Sequence, residues 1–207
     1  MSRIIANAYR HTAASADAIT LDSSGNVTFP ANATCSGTAT GFGGGKILQV
    51  VSVTKTDVFS QSLTYGGTSG DITGLTVSIT PSSASNKILL DTRVMAGHAS
   101  TGLDAYFYKD GSLITGAIGD AGADGRAAFG SRIGGSFRFE MVQGMYLDTA
   151  GGTSAITYSI RIGNALATDA SQSRTLYINR SGDDDEAYSI FAFRRYISTF
   201  TAMEVAA

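Results

Sequence analysis

From Lys46 onward, apolar residues recur at every second position in short runs, and this alternation constrains the fold more than any other feature. In residues 155–162, one set of side chains is Ile156, Tyr158, Ile160 and Ile162, and the other is Thr157, Ser159 and Arg161. A period of two belongs to strands, and no segment of useful length shows the helical period. The alternation therefore predicts an all-β protein.

Turn signals between the runs indicate an antiparallel arrangement. Strands are predicted at residues 47–54, 72–80, 87–96, 105–108, 113–114, 137–142, 155–162 and 176–178 and in the aromatic-rich stretch 188–205. Lys109, Asp110, Gly111 and Ser112 form a hairpin signal. About eight to ten strands in about 160 residues is the density of a two-sheet sandwich. Residues 118–135 interrupt the pattern, and a loop of this length is expected to be functional or to lie at an interface.

The N-terminal segment has a different character. Residues 20–30 indicate two short strand fragments around a Ser-Gly-Asn turn, but the segment holds few apolar side chains. It could not bury enough surface to fold alone, so it needs partners in sister subunits or in a larger particle. Residues 41–45 are a Gly-dense hinge. We predict an attachment arm with a short extended β stalk at residues 1–45 and a β-sandwich head at residues 46–207.

Composition limits the partners. Charged residues make up 15% of the 207, which favours a surface partly covered by other subunits. The net charge of −2 argues against nucleic acid as a partner. No apolar run approaches the roughly 20 residues that cross a bilayer. The N-terminus has no segment of signal-peptide type, so synthesis in the cytoplasm is expected. Cys35, the single cysteine, forms no internal disulfide.

The densest group of carboxylates is Asp183, Asp184, Asp185 and Glu186. Carboxylate oxygens are ligands for Ca²⁺, but consecutive residues of an extended run point in different directions. The group is therefore interpreted as a solvated acidic loop. Asp120 and Asp124 do not have the calcium-loop spacing either. No metal site and no cofactor are predicted.

Candidate catalytic residues are few. His98 lies near Ser100 and Asp104, but no Gly-x-Ser-x-Gly elbow accompanies them, and His11 is remote in the arm. Residues 41–46 are Gly-rich before a Lys, but a strand follows where a phosphate loop needs a helix. Cys35 has no basic neighbour that would lower its pKa. We predict no catalytic residue and no enzymatic activity.

Two sets of segments resemble structural proteins of marine and cyanobacterial bacteriophages. One is residues 18–34; the other comprises residues 45–51, 72–83, 86–90 and 200–206. The resemblance implies a trimeric jelly-roll head, of the tumour necrosis factor type, on a short intertwined stalk. Long tail fibres usually carry a sizeable N-terminal anchoring domain, whereas only residues 1–17 precede the stalk-like block here. The departure favours a short fibre or decoration protein whose arm docks on a capsid or tail protein.

The leading hypothesis is a homotrimeric structural protein on the virion surface, attached through residues 1–45. An alternative is a receptor-binding fibre tip that grips a host glycan or protein, with residues 118–135 as the contact loop. A third hypothesis, a glycan-cleaving enzyme, needs two facing carboxylates, and the acidic residues cluster in loops instead. Interfaces favour Tyr and Phe, so a surplus of aromatic residues favours the trimer: Tyr106, Phe107, Tyr108, Phe191, Phe193, Tyr196 and Phe200.

Overall fold

The chain forms two compact units, residues 1–43 and 44–207, which we call the arm and the head. The structure is a computed structural model, and it describes residues 6–29, 47–98, 102–120, 127–132, 139–164, 173–182 and 195–207. In these ranges no helix is long and apolar enough to cross a membrane.

The arm contains three very short strands, β1 (Ala8–Tyr9), β2 (Ile19–Leu21) and β3 (Val27–Thr28), in an antiparallel sheet of that order. The turn between β2 and β3 is organised by Asp22, whose Oδ1 accepts hydrogen bonds from the backbone N–H groups of Ser24 and Asn26. Gly25 supplies the positive φ of +85° that this turn requires. The prediction of two strand fragments around a Ser-Gly-Asn turn is confirmed.

The described part of the head is built from strands and one short 3-10 helix, Thr115–Ala117. Its strands are β4 (Ile47–Lys55), β5 (Phe59–Thr64), β6 (Thr76–Ile79), β7 (Lys87–His98), β8 (Gly102–Lys109), β9 (Ser112–Leu113), β10 (Phe129–Arg132), β11 (Phe139–Thr149), β12 (Ile156–Asn164), β13 (Ser173–Ile178) and β14 (Ser198–Val205). Every pairing between named strands is antiparallel. The predicted all-β, antiparallel fold class is confirmed.

The strands form two sheets. One has five strands in the order β10-β8-β12-β6, with β9 paired to β8. The other has six strands in the order β4-β14-β7-β13-β5, with β11 paired to β7. In the six-stranded sheet β7 is central, because β11 follows it along one side while β14 and then β13 pair with the other. Strand β4 lies beside β14, far from it in sequence, as in a jelly roll.

The core fills the space between the sheets, and both contribute to it. The Phe107 ring of the five-stranded sheet lies 6.1 Å from the Phe200 ring of the six-stranded sheet and 5.2 Å from the Phe129 ring. Buried aliphatic side chains surround these rings: Ile72, Leu75, Val77, Ile79, Ile88, Leu90, Val94, Leu103, Ile160, Ile162, Leu176 and Ile178. Each such side chain contributes about 1.5–3 kcal/mol when fully buried, so this core holds the head together.

Two polar clusters join elements that are distant in sequence. Lys109 Nζ donates to Asp148 Oδ2 across 2.8 Å, and the Tyr158 hydroxyl donates to the same oxygen across 2.7 Å. The cluster ties β8 and β12 to β11, and thus one sheet to the other. Burial, together with the Asp148 carboxylate, raises the pKa of Tyr158. The hydroxyl therefore stays protonated and remains a donor.

The second cluster surrounds Glu204, which is 2% exposed. Its Oε1 accepts hydrogen bonds from Asn86 Nδ2 at 2.6 Å and from both the backbone N–H and the hydroxyl of Ser82 at 2.7 Å. Burial raises the pKa of Glu204, but the hydrogen bonds from Asn86 and Ser82 outweigh burial and hold that pKa below its usual value. The charged carboxylate thus fastens the connection between β6 and β7 to β14.

Three sequence expectations need correction. Strand β6 begins at Thr76 and not at residue 72, because Gly74 adopts a φ of +86° and the Leu75 N–H bonds back to the Ile72 carbonyl. The sequence did not predict β5, whose Ser, Gln and Thr residues give a weak apolar pattern. Residues 118–135 are not one continuous loop, since β10 lies within them and pairs with β8.

Candidate functional site

The arm has no buried side chain among its described residues, 6–29. Three of its large apolar side chains are largely in water: Tyr9 is 45% exposed, Val27 51% and Phe29 45%. Strands as short as two or three residues gain little from their own pairing. The described arm therefore leaves apolar groups exposed that no core of its own covers.

The outward side of the six-stranded sheet carries a second apolar surface, which we call the methionine face. Its apolar members are Val50, Leu89, Met95, Met141, Met145, Leu147 and Met203. Register places them together, because Val50 pairs with Met203, Met203 with Leu89, and Leu89 with Leu147, in one row across β4, β14, β7 and β11. Directly paired residues point to the same side of a sheet.

The methionine face is well exposed. Met145 is 62% exposed, Val50 56%, Met141 55% and Leu147 51%. Four of the five methionines of the chain lie on it. The next row across the same four strands is Ser52, Thr201, Asp91 and Met145, so the exposed apolar side chains lie beside polar ones. Methionine adapts its shape to a partner, which suits such a mixed surface to an interaction site.

One pair of charges lies in the middle of the methionine face. Asp91 and Arg93 belong to β7, and Arg93 Nη2 lies 3.6 Å from Asp91 Oδ2. The Asp91 side chain is only 17% exposed, whereas that of Arg93 is 53% exposed. Among the described residues, the second carboxylate oxygen of Asp91 is buried and has no hydrogen-bond partner.

The outward side of the five-stranded sheet, which we call the polar face, is different. Arg161 Nε donates to Asp71 Oδ1 across 2.6 Å, the Ser159 hydroxyl donates to the same oxygen, and the guanidinium covers the Tyr108 ring with Cζ 3.9 Å from its centroid. Tyr106 donates to Asp104 across 3.4 Å. Burial, followed by the Asp104 carboxylate, raises the pKa of Tyr106 to about 12. These charges and hydroxyls are matched within the head.

Several predicted candidates lie outside the described residues: Cys35, residues 41–46, Ser100, Asp124, residues 183–186, Phe191 and Phe193. Of the described candidates, Asp104 lies in β8 beside Tyr106, and His11 Nδ1 accepts a local hydrogen bond from the Ala13 N–H in the arm. His98 ends β7. Within the described ranges, no three His, Cys, Asp or Glu side chains form a group that could hold a metal ion.

The aromatic residues divide among three environments. Phe107 and Phe200 are core residues, so the surplus of aromatic residues taken to favour a trimer does not include these two. Tyr106 and Tyr108 point outward on the polar face, and Tyr196 packs edge-on against Phe139 with centroids 4.6 Å apart. Sequence reasoning missed the methionine face, although Met141 and Met145 alternate in opposite phase to the buried Val142.

No protein-family model and no curated protein sequence matches the chain. Among solved structures, similarity is found to "Structure of infectious bursal disease virus Gt strain", with 14% identity over 76% of this chain and 39% of that one and a TM-score of 0.39. "Crystal structure of infectious bursal disease virus VP2 subviral particle" has 14% identity over 76% and 40%, with a TM-score of 0.38. The chain thus spans about 39% of the first of these proteins.

Proposed function

We propose that the chain is a non-enzymatic structural protein of a bacteriophage virion, a homotrimeric short fibre or decoration protein. Residues 1–45 attach it to a capsid or tail protein, and the head projects from the particle surface. Three identical heads bind by avidity, since each raises the effective concentration of the others at the surface. The jelly-roll order of the head and the resemblance of residues 18–34 to phage structural proteins support this proposal.

The observation that carries the proposal is the contrast in packing between the units. The head buries a continuous core, whereas the described arm buries no side chain and exposes Tyr9, Val27 and Phe29. A segment with regular strands but no core gains stability when another chain covers it. An attachment role explains why such a segment precedes a well-packed domain.

Rebinding to particles tests the attachment. The full chain, a variant lacking residues 1–17 and the variant Tyr9→Asp are added to virions that lack the protein, and bound protein is counted after sedimentation. We expect the deletion to abolish binding and Tyr9→Asp to weaken it, while Thr12→Asp, a charge at an exposed polar position nearby, binds like the natural chain. Undiminished binding of the deletion variant would refute the arm's role.

The polar face favours a second function, that of a receptor-binding tip. Tyr106, Tyr108, Arg161 and Asp71 combine ring surfaces with donors and acceptors, which are the groups that orient a polar ligand such as a glycan. Adsorption to host cells tests this function: Tyr106→Ala should reduce adsorption while the protein stays on the particle. Unchanged adsorption would leave the decoration role as the better account.

A further inference from the structure

We propose that copies of the chain associate through the methionine face, with Asp91 and Arg93 at the centre of the contact. The inference rests on the self-assembly included in the proposed function, and it specifies which surface the subunits share. The proposed binding partner of the methionine face is another copy of this chain. Charge, area and the state of Asp91 each support that choice.

The charges of the methionine face suit contact with an identical face. Association of identical surfaces brings like charges together unless those charges cancel locally, and unmatched like charges across an interface cost several kcal/mol. Asp91 and Arg93 lie two positions apart on β7 and have opposite signs. Where three copies turn this face toward a threefold axis, the carboxylate of each copy can therefore lie near the guanidinium of the next.

Asp91 is also the least satisfied group on the face. Its side chain is 17% exposed, and its Oδ1 has no hydrogen-bond partner among the described residues. A buried carboxylate oxygen without a donor is unfavourable. Arg93 lies at 3.6 Å from the other oxygen, beyond ordinary hydrogen-bond length, and is half in water. The Arg93 of a second copy has the chemistry that would complete the pair.

The size of the face agrees with a stable contact. Strand β7 has 12 residues. Strands β4, β14 and β11, which lie beside it in the sheet, have 9, 8 and 11 residues. At about 3.4 Å per residue and about 4.8 Å between strands, the four strands together cover about 650 Å². Each partner in a stable protein interface contributes about 600–1,000 Å². The methionine face thus offers about the area that one subunit needs.

A charge placed on this face tests the inference in the full chain. Met145→Glu and Leu147→Glu are compared with Ser78→Glu, which adds the same charge to an exposed outward position of the other sheet. Burying an unpaired carboxylate opposes association, so we expect the dissociation constant of the two face variants to rise by about 100-fold or more. Sedimentation equilibrium gives the mass of each variant, and circular dichroism checks that each remains folded. Ser78→Glu should assemble like the natural chain.

Charge exchange provides a readout that loss of folding cannot imitate. Asp91→Arg places a cation at both positions, and Arg93→Asp places an anion at both. We expect each variant alone to dissociate, and an equimolar mixture of the two to reassociate, as measured by native mass spectrometry. Recovery in the mixture shows that the two residues meet across the contact.

The outcomes separate the inference from the function on which it rests. If the natural chain is oligomeric and Met145→Glu and Leu147→Glu are equally so, the methionine face is not the contact, although self-assembly stands. If the natural chain is a monomer at micromolar concentration, self-assembly and the inference are both wrong. A monomer that instead binds another virion protein through Met145 would also overturn the choice of a second copy.

Discussion

The two sheets of the head share one core but turn opposite kinds of surface outward. On the polar face, Arg161 is paired with Asp71 and stacked on Tyr108, so its charges are matched within one subunit. On the methionine face, Val50, Met141, Met145 and Leu147 are half or more exposed, and the Asp91 carboxylate is incompletely bonded. One sheet is therefore complete as a water-facing surface, and the other is not.

The same backbone geometry produces both faces. Strands point alternate residues to opposite sides, so each strand of the sandwich gives one set to the core and the other set to its outward face. In β14 the inner set contains Phe200 and Ala202, and the outer set contains Thr201 and Met203. The fold requires only that the inner set be apolar, and an apolar outer set therefore points to a requirement beyond folding.

The largest expected effect lies in the shared core. Phe107→Ala removes a ring that contacts Phe129 and Phe200, and cavities of this kind cost about 3–5 kcal/mol of unfolding free energy. The neighbouring outward change Tyr108→Ala should cost about 1 kcal/mol, mostly the stacking with Arg161. Urea unfolding of both variants measures the difference. Equal losses would contradict the division into core and outward faces.

Acid should destabilise the fold by protonating Glu204, on the inner side of β14. The pKa of Glu204 is lowered in the fold from a usual value of 4.5, so its contribution is present at neutral pH and is lost as the pH falls through the folded pKa. Glu204→Gln should cost about 2 kcal/mol at pH 7, because three hydrogen bonds lose their charged acceptor. The difference between natural chain and variant should shrink as the pH falls below 4.5. Glu140→Gln, at an exposed position, is the control; a difference that persists in acid would exclude the charged form.

Oxidation should distinguish the two faces chemically. Mild peroxide converts exposed methionines to polar sulfoxides. Within the described ranges the methionines all lie on the methionine face, and Met141 and Met145 are the most exposed of them. We expect a roughly tenfold weaker self-association, or about 1.4 kcal/mol, measured by sedimentation. The double variant Met141→Leu, Met145→Leu should resist the treatment. If peroxide weakens self-association of the double variant equally, oxidation of Met141 and Met145 is not the cause.

The smallest effect is expected on the polar face. Asp71→Asn breaks an exposed ion pair with Arg161, which typically contributes less than about 1 kcal/mol. Burial raises the pKa of Asp71, but the hydrogen bonds from Arg161 and Ser159 outweigh burial, so the net pKa is below its usual value. The contribution of the ion pair to stability is therefore also lost as the pH falls through the folded pKa. Thermal unfolding measures the change, and the oligomer mass should stay the same. Dissociation of Asp71→Asn would show that the polar face takes part in assembly.

Alternation in the sequence was enough to predict the fold class and most strands. Residues 155–162 gave the correct inner and outer sets of β12, and Asp110 with Gly111 gave the hairpin between β8 and β9, where both adopt positive φ. Strand β5 was not predicted because its residues are mostly polar. Strand β10 was not predicted because its few residues follow a long Gly-rich stretch.

The methionine face could not be predicted from the sequence, for a physical reason. Alternation shows that Met145 and Leu147 share a side of β11, but it cannot show that Met203 and Val50 extend the same surface. That juxtaposition depends on pairing between strands far apart in the chain. The matched pair of Arg161 and Asp71 depends on the same kind of long-range contact.

The position of β14 between β4 and β7 sets the order of events during synthesis. Ser52 and Phe200, which meet across this pairing, are 148 positions apart, so β4 leaves the ribosome long before its partner exists. Until β14 arrives, the row from Val50 to Leu147 is interrupted and no complete methionine face can form. In the assembly proposed above, this order keeps a nascent chain from joining other copies before its own fold is complete.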